Sequence, residues 1–200
     1  MNETPKLPLP FMGAQGSISE KTLTIHHDKL YAGYVDKKNE IQKKLAELSS
    51  DDLKTANQSY SALRALKDSE TFATNGAYLH EWYFANLGGD GKVTDAMSKA
   101  LTAEFGSFDK FVELFSACGM AARGWVVLTF DTHDKALRIY TADAHNQGGV
   151  WGALPLLILD VYEHAYFIDT GSDRKAYIQD FMTHINWQTV EQRYQLITNK

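Results

Sequence analysis

The run Gly88-Gly89-Asp90-Gly91 divides the chain into halves that cannot share one architecture. Three glycines in four residues interrupt helix and strand alike. Before the run, apolar residues recur at near-helical spacing. One stretch carries Leu23, Leu30, Tyr34, Ile41, Leu45 and Leu48; the next carries Leu63, Leu66, Phe72, Tyr78, Leu79, Trp82, Tyr83 and Leu87. These predict two long helices. The first starts near Ser17, where Ser17 and Glu20 make a capping-box pattern, and runs to about Leu48. The second covers roughly 57–87. Ser49-Ser50-Asp51-Asp52 between them reads as a turn able to cap the next element. A short link between two long helices makes an antiparallel hairpin.

Beyond the glycines the pattern changes. Helices are expected over 95–105 and 108–122, split by Gly106-Ser107 with Ser107 as N-cap. Strand-like runs follow at 125–130 and 136–142, with turn chemistry from Asp131 to Lys135, which together read as a β-hairpin. Leu154 to Leu159 is almost unbroken apolar sequence, suited to a buried strand. Two short helices are expected at 174–185 and 189–198. The fold class is therefore α+β, with one domain over 1–89 and a second over 90–200. The Pro5, Pro8 and Pro10 segment ahead of the first helix reads as an extended arm.

Composition narrows the function classes. The formal net charge is −5 and no Lys/Arg stripe is present, which argues against a nucleic-acid surface. Lys37-Lys38 and Lys43-Lys44 read as a solvated helix face. Cys118 stands alone, so no internal disulfide forms, which fits a reducing compartment. The apolar run from Ala153 to Val161 is too short to cross a bilayer. The expected location is the cytoplasm, with no membrane or nucleic-acid partner. No phosphate-binding glycine loop, HExxH, cysteine–histidine zinc pattern or nucleophile elbow occurs.

The chemistry-bearing residues are histidines and acids. Asp160-Val161-Tyr162-Glu163-His164-Ala165-Tyr166 follows the buried strand directly. Asp160 and His164, four apart, can face one way. A metal site and a helix N-terminus carrying acids near its dipole explain this spacing equally well. His26 and His80 lie in apolar stretches of the two long helices. Each alone reads more readily as a core histidine. Across an antiparallel hairpin, however, they can meet, and three imidazoles with one carboxylate suit iron or manganese; zinc can also use such a set.

Read together, these segments resemble the iron/manganese superoxide dismutases. Residues 160–166 are similar to that family's D-x-W-E-H-A-Y signature, with Tyr162 in place of tryptophan. Pro155-Leu156-Leu157, Asn186-Trp187 and Arg193-Tyr194 extend the match, as do Phe105-Gly106-Ser107-Phe108 and Gly124-Trp125. Ile25-His26-His27-Asp28-Lys29 with Tyr34-Val35 resembles the first-ligand segment, and Leu79-His80-Glu81-Trp82-Tyr83-Phe84 the second. The resemblance runs from Leu7 onward. It implies a helical hairpin, a C-terminal α/β domain with a three-stranded antiparallel sheet, and a metal site between them. It also implies one iron or manganese ion per subunit, held by His26, His80, Asp160 and His164, with superoxide as substrate.

The resemblance further implies roles for neighbouring residues. Tyr34 gates access and relays protons, and Trp125 and Tyr162 wall the pocket. His145 or Gln147 bonds the solvent on the metal, with His145 reached first by a gapless match. A homodimer or tetramer is implied, in which Glu163 of one subunit bonds His164 of the other and Tyr166 faces the partner. Leu30 departs from the pattern. The family usually has a histidine there that links the gateway tyrosine to the partner's Tyr166, and a leucine cannot make that bond. Leu30 therefore leaves room for a catalytically impaired metal-binding or structural member of the fold. A zinc hydrolase is the other rival, and it lacks an evident general base beyond Glu163.

Overall fold

The computed structural model describes residues 3–198. Met1 and Asn2, where the expected arm begins, and Asn199 and Lys200, at the end of the expected second domain, lie outside the described residues. The chain is α+β: a helical hairpin is followed by a unit with a three-stranded antiparallel sheet.

The first long helix is not one uniform element. Helix α1 spans Glu20–Ile25, a π-helical segment follows over His26–Tyr31, and α2 spans Ala32–Ala46. Its N-cap is Ser19, whose side chain accepts from the Thr22 amide, rather than Ser17. The Ser17 amide is instead donated to Asp180 on a distant helix. The wider π turn rotates the sequence pattern by about one residue. Leu30, predicted for the apolar stripe, is only half-buried, whereas Tyr31, Val35 and Ile41 are buried. Helix α3, Ser50–Lys54, is an addition to the predicted turn, and Ser49 with Asp52 forms its capping box. Helix α4, Ala62–Asn86, starts five residues later than expected, capped by Ser61.

Lys38 corrects the reading of a solvated basic face. Lys37, Lys43 and Lys44 are exposed, but Lys38 is only 4% exposed. It bonds Thr4 of the arm and lies 5.5 Å from the centre of the Tyr78 ring. The arm is stitched along the hairpin: Asn39 exchanges two hydrogen bonds with the Thr4 backbone, and the Leu7 amide donates to Tyr31 Oη.

The glycine run is a packed crossing. The Gly89 and Gly91 amides donate to the carbonyls of His184 and Ile185, and a Cβ on Gly89 would fall 2.2 Å from the Ile185 carbonyl oxygen. Helices α5, Asp95–Phe105, and α6, Phe108–Ala121, come next, with Ser107 capping α6 as expected. Strands β1 (Trp125–Asp131), β2 (Ala136–Ala142) and β3 (Ala153–Asp160) form the sheet in the order β2-β1-β3, antiparallel throughout. Pro155 sits beside a register shift between Leu128 and Thr129, where a missing N–H is tolerated. A short 3-10 turn (Glu163–Ala165) and α7 (Phe167–Thr170) follow β3, then α8 (Arg174–Met182) and α9 (Trp187–Thr198).

Helix α4 is fastened to β3. Buried Asn86 accepts from the Ile158 amide at Oδ1, and its carbonyl accepts from the Asn186 amide at 2.7 Å. Arg193 donates to the Leu156 carbonyl at 2.8 Å. These bonds cover the sheet edge and fix the helix carrying His80 against the strand that ends in Asp160.

Candidate metal centre

Four side chains from four separate segments converge in the interior. His26 comes from the π-helical segment, His80 from α4, Asp160 from the last position of β3 and His164 from the 3-10 turn. Their donor atoms all lie within 4.8 Å of one another. Asp160 Oδ2 is 3.2 Å from His26 Nε2, 3.2 Å from His164 Nε2 and 3.7 Å from His80 Nε2. His26, His80 and Asp160 are fully buried, while the His164 side chain is 29% exposed.

Local structure aims each group. Asp160 Oδ1 accepts from the Tyr162 amide, so the carboxylate closes the turn leaving β3 while Oδ2 faces the histidines. His80 Nδ1 approaches the Gly76 carbonyl, one helical turn earlier, at 2.5 Å. A carbonyl only accepts, so the proton sits on Nδ1 and the Nε2 lone pair points into the cluster. Behind Asp160, its carbonyl accepts from Tyr177 Oη at 2.7 Å, and Tyr83 Oη lies 3.1 Å from Tyr177 Oη.

The cluster is poorly satisfied by protein alone. His26 Nε2 and His80 Nε2 are fully buried with no hydrogen-bond partner, and so is His26 Nδ1. Nε2 of His26 is close to Asp160 without the alignment of a hydrogen bond. Buried polar atoms left in this way cost about 1–3 kcal/mol each. Donors that share one ion at about 2 Å from it stand about 3–4 Å apart, and the three distances from Asp160 Oδ2 to the imidazole Nε2 atoms, 3.2, 3.2 and 3.7 Å, fall in that range. The residues therefore fit a metal ion.

The electrostatics point the same way. Burial lowers the pKa of His26 and takes that of His80 well down, so both are neutral and able to offer lone pairs. Burial works against charge on Asp160 too. His164 and His26 more than reverse it and hold that carboxyl far below the ordinary range. Burial also opposes charge on His164, but Asp160 outweighs it and raises that pKa.

An aromatic wall surrounds the cluster. Tyr34 stacks on the His80 ring at 5.3 Å, Tyr162 on His164 at 5.3 Å, and Trp125 meets His80 edge-on at 5.0 Å. Gly76 makes room for Tyr34, since a Cβ there would lie 2.7 Å from Tyr34 Cδ1. His145 is 4% exposed, and its ring lies 4.6 Å from that of Tyr34. Burial lowers its pKa to about 4.

Each half of the chain matches a described family. Residues 2–88 match "Iron/manganese superoxide dismutases, alpha-hairpin domain", and residues 93–193 match "Iron/manganese superoxide dismutases, C-terminal domain".

The chain belongs to the iron/manganese superoxide dismutase family.

The chain is 41% identical over 180 residues to an iron superoxide dismutase of Aquifex pyrophilus, covering 89% of this chain and 84% of that one. It is 34% identical over 198 residues to a manganese superoxide dismutase of Halobacterium salinarum, covering 96% and 94%. Relatives named for either metal thus align along most of the chain.

The remaining residues singled out from the dismutase resemblance fall in different places. Tyr34, Trp125, Tyr162 and His145 gather round the cluster. Gln147 does not: it is exposed, while His145, two residues earlier, is buried. Glu163 is exposed. Tyr166 is buried away from the cluster, stacked on Tyr177 at 4.9 Å, and its Oη accepts from Arg174 Nε in the same chain at 3.1 Å. Sequence reasoning overlooked the support that Tyr83 and Tyr177 give Asp160. Nothing in the pattern separates them from ordinary core aromatics.

Proposed function

We propose that this chain disproportionates superoxide at a centre built from His26, His80, Asp160 and His164, holding one iron or manganese ion per subunit. The observation that carries this reading is the buried convergence of three imidazoles and one carboxylate with unpartnered Nε2 atoms. An iron or manganese ion, when bound, supplies the one-electron oxidation and reduction that turn two superoxide ions and two protons into dioxygen and hydrogen peroxide.

The protein's part follows from its own residues. Three neutral imidazoles and one carboxylate offset one unit of the ion's charge and leave the site attractive to a small anion. Tyr34 stands beside His80 at the pocket rim, where its hydroxyl can gate entry and pass protons inward. Trp125 and Tyr162 exclude bulk water from the histidines they cover. His145, in preference to Gln147, offers a hydrogen bond to what enters the pocket, because it is the buried one of the two. We read residues 1–89 and 90–200 as two domains with the centre between them.

Assembly and location extend the same reading. Glu163 is exposed on the turn that carries His164, which suits a bond to His164 of the other subunit in a homodimer or a tetramer. Such a carboxylate would orient that imidazole and raise its basicity. Tyr166 would lie near the same interface, where Leu30 removes the usual bridging histidine. No helix among the described residues is long and apolar enough to cross a membrane. With a single cysteine and no basic stripe, we place the protein in the cytoplasm.

The decisive experiment measures dismutase activity separately on iron-loaded and manganese-loaded protein, with metal content determined by mass spectrometry. Activity with at least one of the two supports the reading. Near-stoichiometric zinc from unsupplemented cells, with no dismutation after iron or manganese loading, overturns it.

A further inference from the structure

His145 lies where the two halves of the molecule meet, on the loop of residues 143–152 between β2 and β3. This loop contains three glycines, two of them at positive φ, and would leave a side chain poorly aimed unless something held it. Two bonds from opposite sides hold His145. Trp125 Nε1, on β1, donates to His145 Nδ1 at 2.9 Å. Asn75 Nδ2, on α4, donates to the His145 carbonyl at 2.8 Å. An indole N–H only donates, so Nδ1 carries the lone pair and the neutral ring keeps its proton on Nε2. A carbonyl only accepts, so the Asn75 amide must present its nitrogen. Asn75 is also five residues before His80 and adjacent to Gly76, whose carbonyl fixes His80. One short piece of helix therefore sets both a histidine of the centre and the backbone of His145.

We propose that Asn75 is a positioning residue, which pins the His145 loop to the hairpin so that His145 is held as a single Nε2–H donor facing the centre. This rests on the proposed function for what the donor serves, though not for the pin itself. Donor placement of this kind tolerates roughly 0.5 Å and 10–20° of error. A glycine-rich loop without the pin exceeds that readily.

The test has two arms, both on the full chain. The first uses protein loaded with diamagnetic zinc and reads the His145 ring nitrogens by 15N NMR. Wild type should show one Nε2–H form. Asn75→Ala should show a second ring state or line broadening, and Asn75→Gln should restore part of the single form. An Asn75→Ala ring spectrum identical to wild type overturns the pin.

The second arm measures azide affinity optically on iron- or manganese-loaded protein in a double-mutant cycle with His145→Ala. Asn75→Ala should change azide affinity about fivefold where His145 is present, the scale of one hydrogen bond, and by nothing further in the His145→Ala background. An equal change in both backgrounds, or a lowered melting temperature with azide affinity untouched, would show a structural role alone and overturn the proposal. Should the metal-loaded wild type fail to dismutate superoxide while the NMR arm behaves as expected, the pin stands and the proposed function falls.

Discussion

The hairpin and the sheet-bearing unit supply two residues each to the centre, and they supply them differently. His26 and His80 project from the hairpin helices into a buried interior where their Nε2 atoms have no hydrogen-bond partner. Asp160 and His164 come from a strand end and a single tight turn, already paired with each other, and His164 reaches partly to solvent. The hairpin side provides stiff neutral donors whose burial is an energetic burden without a cation. The sheet side provides the one negative charge and its counter-group. The four donors come two from each half, so the cluster is incomplete in either half alone.

The strongest way to break that comparison is to remove the charge. Asp160→Ala should abolish stoichiometric metal binding, with a loss of at least 100-fold in affinity, because three neutral imidazoles remain with no counter-charge; metal content after dialysis checks it. A 100-fold loss corresponds to about 3 kcal/mol, the scale of breaking a buried charged pair. Retention of a full equivalent of metal would show that the histidines alone suffice.

The second prediction sharpens the contrast between buried and half-exposed histidines. His26→Leu should eliminate metal binding yet leave the metal-free protein as stable as wild type, or up to about 2 kcal/mol more stable, since it replaces two unpartnered buried nitrogens by an apolar group. His164→Leu should give no such gain, because it leaves Asp160 buried without its best partner. Urea melts of the metal-free variants compare the two, and equal destabilisation by both would remove the distinction.

The next effect tests the backing of the charged side. Tyr177→Phe removes the donor to the Asp160 carbonyl and leaves Tyr83 without its hydroxyl neighbour. A loss of about 1–3 kcal/mol is expected, read as a lower urea midpoint at unchanged slope.

pH supplies a smaller effect. The pKa of His145 is lowered to about 4 by burial, below the ordinary 6.5. The unfolded chain therefore binds more protons than the folded one between these values. The stability contribution is complete above about pH 6.5 and is lost as pH falls toward 4. His145→Gln should flatten this acid limb in the metal-free protein by about 1–2 kcal/mol. Parallel limbs for both proteins would contradict it.

The smallest expected change is for Tyr34→Phe. It should keep the metal and the fold and alter turnover or product inhibition severalfold, the scale of one lost hydrogen bond. Pulse radiolysis with identical kinetics for both proteins would exclude a role for the hydroxyl.

Much of this was legible in the chain before any coordinates. Helical spacing on either side of Gly88-Gly89-Asp90-Gly91, the Ser107 cap and the apolar run into Asp160 set element types and order, since these are local effects of side-chain period and backbone freedom. The family signature at 160–166 marked the C-terminal half of the centre. Two of the misplaced features involve contacts distant in sequence, and a third is a local change of helix type. Ser19 rather than Ser17 is the cap, and the Ser17 amide is held by Asp180, far away in sequence. Lys38 is buried because the arm folds across it. The register of the first helix slips at the π-helical segment, and only burial shows which side chains it turns inward.

Residue order by itself determined the α+β sequence of elements, the break between the halves and the candidate side chains, because turns, caps and periodicity act over a few residues. Tertiary structure alone decided that Nε2 atoms from two helices lie opposite one carboxylate, that His145 is buried beside them while Gln147 is exposed, and that Asn75 and Tyr177 bond the carbonyls of His145 and Asp160. Those outcomes depend on contacts between residues about 20 to 140 positions apart, and no local rule of chain chemistry specifies such distances.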